Sequence, residues 1–201
     1  MNTTKKRLIV SVGALAVLAV IFVASCGLTG CRSNGENRSN SSAPANTGTT
    51  EIPGLPPDPG EAGKATLAGI DSDNDGVRDD IQRYIALTYP NSTKNQAALT
   101  QMAKVMQNAL LDANDKQKSV KHGEEVSKAS ECHTYLLGND VAAVDASYKM
   151  EKDMDSIILN TDARNKAYFT YNDQLGGEVF FGTPDSQIAT ACDFDVASLP
   201  N

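Results

Sequence analysis

Hydrophobic and polar positions divide this chain into three stretches. Behind Lys5, Lys6 and Arg7, an uncharged apolar run of 17 residues extends from Leu8 to Ala24. From Arg32 to about Gly63 the chain is Ser, Asn, Thr, Gly and Pro with almost no large apolar side chain. Beyond about Ala65, apolar residues return at helical spacing. Ile81, Tyr84, Ile85 and Thr88 mark a first helix that Pro90 stops. In the next, Ala98, Leu99, Met102, Val105, Met106, Ala109 and Leu110 form one stripe, with Gln101, Lys104, Gln107 and Asn108 on the outer face. A third helix, from about Asp115 to Leu137, places Val126, Ala129, His133 and Leu136 inward until Gly138 ends it. A fourth runs from about Asp140 to Leu159 on Val144, Tyr148, Met154, Ile157 and Ile158. Thr161 caps a fifth that carries Ala167, Tyr168, Tyr171 and Leu175 to Gly176-Gly177. Glu178-Val-Phe-Phe181 reads as a short strand or as extended core chain.

These periods predict a mainly α domain, a bundle of four to five helices over residues 65–201. No internal repeat is present, which excludes a solenoid. The segment 31–64 is too polar to bury a core and reads as a disordered tether, which its prolines extend. Residues 1–30 have the layout of an export signal. Near its end, Val23-Ala24-Ser25-Cys26 and Leu28-Thr29-Gly30-Cys31 each resemble the lipobox at which bacterial signal peptidase II cuts before a diacylated cysteine. Cutting before Cys31 leaves Cys132 and Cys192 as an even pair, whereas cutting before Cys26 leaves an odd cysteine. Cys31 is therefore the expected lipidation site, with Cys26 the alternative. No Asp follows either cysteine, so the expected location is the cell envelope, at the outer membrane, facing the periplasm or exposed at the surface. Cys132 and Cys192 are expected to form a disulfide there, pinning the tail from Gly182 to Asn201.

The candidate chemistry lies where the tether gives way to the first helix, in Asp71-Ser-Asp73-Asn-Asp75-Gly76-Val77-Arg78-Asp79. Carboxylates at such close spacing repel one another, and a calcium ion, which takes six to eight oxygen ligands, removes that cost. Positions one, three, five, seven, nine and twelve of a calcium loop fall on Asp71, Asp73, Asp75, Val77 through its carbonyl, Asp79 and Gln82, with Gly76 at the turn. Position twelve of an EF-hand is Glu, and position eight is a buried aliphatic residue. Here they are Gln82 and Arg78, so affinity should be modest, in the range of about 10⁻⁴ to 10⁻³ M. Over these nine residues the chain resembles the D-x-D-x-D-G-x-x-D loops of thrombospondin type 3 repeats and of many secreted bacterial proteins. With the stretch from Thr161 to Gly177, it is similar to bacterial lipoproteins of unassigned activity that carry one such loop. That resemblance implies calcium and implies no catalytic residues.

Composition narrows the function classes further. Removing residues 1–30 takes away three basic residues and leaves 15 basic against 25 acidic, a net charge of −10 that disfavours a nucleic-acid partner. His122 and His133 are the only histidines, and on one helix they stand about 16 Å apart, too far to share a metal. No metalloprotease, nucleophile-elbow or phosphate-loop motif occurs. The residues thus predict a lipid-anchored, calcium-stabilised helical envelope protein that binds an envelope protein or polymer, or has a structural role, rather than an enzyme. The alternative is a hydrolase of an envelope polymer with paired carboxylates drawn from Glu124, Glu125 and Glu131.

Overall fold

The computed structural model describes residues 52–200, and every periodic segment in them is a helix. They are α1 (Asp79–Thr88), α2 (Thr93–Leu111), α3 (Lys116–Leu137), α4 (Val141–Ile158) and α5 (Asp162–Gln174). The export signal, Cys26, Cys31 and the tether up to residue 51 lie outside the described residues. Among the described residues there is no strand, and no helix is long and apolar enough to cross a membrane.

Each helix starts on a local signal. Four have a side-chain cap: Ser92, Asp115, Asp140 and Thr161 accept the amides of Asn95, Lys118, Ala143 and Arg164. α1 instead has Asp79 and Asp80 in its first turn, where carboxylates meet the positive end of the helix dipole. α3 stops at Gly138, which takes a φ of 124°. The central element is α2, which packs against each of the other four helices. Leu99, Met102, Met106 and Leu110 from it form one core with Val77, Ile81, Ile85, Met154 and Ile158. A smaller cluster joins Ala109, Ala113 and Tyr171.

Three details differ from the pattern of the sequence. First, α4 is turned so that Val144 and Tyr148 are 52% and 61% exposed, and Ala143 and Ser147 are buried in their place. Small residues let α3 and α4 approach closely there, and Thr134 and Ser147 share a hydroxyl hydrogen bond of 2.9 Å. Second, Gln101 and Gln107 of the supposed outer face of α2 are buried. Gln101 donates to the Ala191 carbonyl and accepts the Asp193 amide, while Gln107 donates to the Ala68 carbonyl. The flanking segments of the domain thus cover a face that periodicity assigns to solvent. Third, only Phe180 of Glu178-Val-Phe-Phe181 turns inward, against Gly123, where a Cβ would lie 2.6 Å from its ring. Val179 and Phe181 point outward.

Structure also begins earlier than the expected end of the tether. Residues Gly60–Lys64 form a turn of 3₁₀ helix, Pro56 is buried, and its carbonyl accepts a hydrogen bond from Arg83. At the other end, short 3₁₀ turns at Asp185–Ala191 and Val196–Ser198 carry the tail across the bundle. A disulfide joins Cys132 on α3 to Cys192 in that tail.

Candidate metal centre

The acidic loop folds around its own backbone amides. Asp71 accepts the amides of Asp75 and Gly76 on its two oxygens, Asp75 accepts that of Val77, and buried Asp79 accepts that of Ser72 at 2.9 Å. Asn74 and Gly76 adopt positive φ values of 55° and 89°, which an Asn and a Gly tolerate and which the tight turn requires. The result brings Asp71, Asp73 and Asp79 together, each offering one carboxylate oxygen within 4.8 Å of the others. Asp75 stands outside that convergent group, with one oxygen committed to the Val77 amide. Val77 has its side chain in the core, 1% exposed, which ties the backbone of loop position seven to the bundle.

Gln82 tests whether the loop suits a cation. Its amide nitrogen donates to Asp73 at 3.1 Å, and this bond is the first cause that holds the Asp73 carboxyl below the usual carboxylate range. Its Oε1 is buried with no hydrogen-bond partner. An orphaned amide oxygen on the side chain that bonds Asp73, together with three converging carboxylates, fits a hard, oxygen-seeking cation, since a bound ion satisfies an acceptor that the protein leaves unmet. Asp71, Asp73, Asp79 and Gln82 would hold such an ion. Three carboxylates and a neutral amide match calcium rather than a soft transition metal.

What fastens the loop to the domain is Arg78, which the loop pattern marks only as an anomaly at position eight. Its side chain is 1% exposed. It makes a forked pair with Asp80 at 2.9 and 2.8 Å and donates to the carbonyls of Ile157 and Ile158 at the end of α4. Those carbonyls are helix-terminal and have no intrahelical donor, so the guanidinium supplies one. Burial acts to raise the Asp80 pKa, but the bonds and charge of Arg78, with Asn160 and Arg164 behind them, outweigh it and hold the carboxyl below its ordinary value. Arg164, fully buried on α5, reaches the Gly63, Thr66 and Leu67 carbonyls and Asn160. Gly69 lies against both arginine side chains, where a Cβ would come within 2.6 Å of the Arg78 Cδ and 2.8 Å of an Arg164 guanidinium nitrogen.

No protein family, curated protein or solved structure matches this chain.

Two of the three glutamates proposed for polymer hydrolysis, Glu124 and Glu131, line one groove, and Glu125 lies outside it. Glu125 bonds to His122, Glu131 accepts the Thr183 amide, and Glu124 is exposed on the rim of a shallow groove of about 200 Å³ shared with Glu131, Lys128 and Phe181. Both histidines are buried and hydrogen-bonded. His122 presents its two ring nitrogens to Glu125 and Asp112, at 2.9 and 3.1 Å, and both contacts are hydrogen bonds only when both nitrogens carry protons. Lys118 and His122 lower the Asp112 pKa. His133 faces Glu151 across the α3–α4 contact. Neither histidine reaches the acidic loop.

Proposed function

We propose that this chain is a lipid-anchored, calcium-stabilised helical protein of the bacterial cell envelope, with a binding or structural role there. Cys31 carries the lipid in this reading, and a tether holds the helical domain off the membrane, at the outer membrane on its periplasmic or outer surface. The observation that supports it is the convergence of Asp71, Asp73 and Asp79 in a loop whose next residues enter the core. An ion there acts as a clamp on the start of the fold.

Calcium should raise thermal stability by linkage. With a Kd of about 10⁻⁴ to 10⁻³ M, 10 mM calcium adds about 1.4–2.7 kcal/mol, a rise in Tm of roughly 3–10 °C. Calorimetric melting of the mature chain in calcium and in chelator reads this directly, with titration calorimetry giving one ion per chain. Asp73→Asn should abolish the gain while leaving the metal-free melting curve close to wild type, because Asp73 is exposed and supports no core contact. Identical melts with and without calcium, and no heat of binding, would remove the clamp.

A further inference from the structure

Residues 178–182, between α5 and the tail, form a strand-like segment with no strand beside it. No helix or turn occurs from 178 to 184. Side chains alternate along it: Phe180 packs on Gly123 of α3, whereas Val179 and Phe181 are 63% and 83% exposed. Both ends are fastened. The Glu178 amide donates to the Leu175 carbonyl, the Glu178 carboxylate pairs with Lys116 at 2.9 Å, and the Thr183 amide donates to Glu131. Between these ties, the amides and carbonyls of Val179, Phe180 and Phe181 have no hydrogen-bond partner among the described residues. Such an edge is a template for another strand. Charge or proline commonly protects an exposed edge, but here Glu178 is neutralised by Lys116 and the next proline is Pro184.

We propose that this edge pairs with the same edge of a second copy of the chain, antiparallel, about a two-fold axis at Phe180. That register sets Val179 of each copy opposite Phe181 of the other on the outer face, an aromatic and β-branched cross-strand pair made twice. The amides and carbonyls of both residues are free to bond across each pair. Glu178 falls opposite Gly182, so no like charges oppose one another. An axis at Val179 would instead leave Phe181 opposite Gly177, and one at Phe181 would leave Val179 opposite Thr183. Only the axis at Phe180 sets every outward apolar side chain against another. The groove wall alongside carries Glu124 and Glu131 with Lys128 between them, mixed signs that a second copy meets with its own. The ties at Glu178, Phe180 and Thr183 already hold the segment in place, so pairing orders little new chain. A short edge of this kind covers less than about 1,200 Å² in all, the size of weak and transient associations. The contact is therefore a concentration-dependent dimer, independent of the acidic loop.

Sedimentation equilibrium of the mature chain without its lipid, in about 0.15 M salt to screen the net charge, tests this. Wild type should be monomeric at about 10 μM and pass into a dimer towards about 1 mM. Val179→Lys and Phe181→Asp, each alone, should weaken association by about tenfold. Neither should move the melting curve, since both side chains are exposed. An equimolar mixture of the two variants should associate again, because the register sets the introduced lysine opposite the introduced aspartate and keeps one native Val179–Phe181 pair. Wild type that stays monomeric throughout overturns the proposal and leaves the edge to a strand of another protein. Association that persists in both variants places the contact elsewhere, as on the exposed Val141, Val144 and Tyr148 of α4, and overturns it equally. Association lost in each variant and not recovered in the mixture refutes the two-fold register.

Discussion

Arg78→Met is expected to destabilise the domain by about 3–5 kcal/mol, because removing one member of a buried ion pair leaves the other uncompensated. Asp80, only 20% exposed, would lose its forked partner, and the Ile157 and Ile158 carbonyls would lose their donor. In a domain of this size that is a fall in Tm on the order of 10 °C. Arg78→Lys should recover only part of the loss, since an ammonium cannot serve a carboxylate in two-pronged fashion and two carbonyls together. The pH dependence separates this account from simple loss of packing. With its pKa lowered in the fold, Asp80 contributes stability above its unfolded pKa of about 3.8 that is lost as pH falls through the folded value. That acid-sensitive component should shrink in the methionine variant. A variant that melts like wild type, or one with unchanged acid sensitivity, would show that the Arg78 network carries little of the stability.

Replacing both Cys132 and Cys192 by serine is expected to cost nearly as much. The bond closes a separation of 60 residues, and cross-linking a loop of that length contributes about 4 kcal/mol in the chain-entropy account. The loss should be uneven across the molecule. Gln101 still grips Ala191 and Asp193, Glu131 still accepts the Thr183 amide, and Thr93 still donates to the Pro200 carbonyl. These are a few hydrogen bonds of modest net worth each. The segment 182–200 should become the first site of proteolytic cleavage, while the α1–α5 core keeps its exchange protection. Wild-type protein in reductant should reproduce the same pattern. Loss of protection throughout, at equal strength in core and tail, would show that the tail is integral to the core rather than pinned onto it.

The helices and the acidic loop were legible in the sequence because both rest on local rules. Helical periodicity, capping residues and stop signals act over a few positions, and the five helices fall where those signals place them. The loop is local too, with a spacing that lets Asp71 and Asp75 reach amides two to five residues on. The Arg78 anchor was visible only as a departure from the expected aliphatic residue at position eight. Its partners at Ile157 and Ile158 are some 80 residues away, and no local pattern announces such a bond.

Sequence by itself determined the class of fold, the helix limits, the cysteine pair and a loop able to gather carboxylates, since backbone propensity, hydrophobic period and residue spacing are properties of neighbouring positions. Tertiary structure alone decided which faces count as inside. Gln101 and Gln107 sit on the polar side of α2, yet they are buried because the segments flanking the bundle return to cover that side and offer carbonyls to their amides. Val144 and Tyr148 sit on the apolar side of α4, yet they are exposed because small Ala143 and Ser147 permit the closer contact with α3. In both helices the hydrophobic pattern marked one face as apolar. The fit of the neighbouring chain, through packing distance and hydrogen-bond satisfaction, chose which surface.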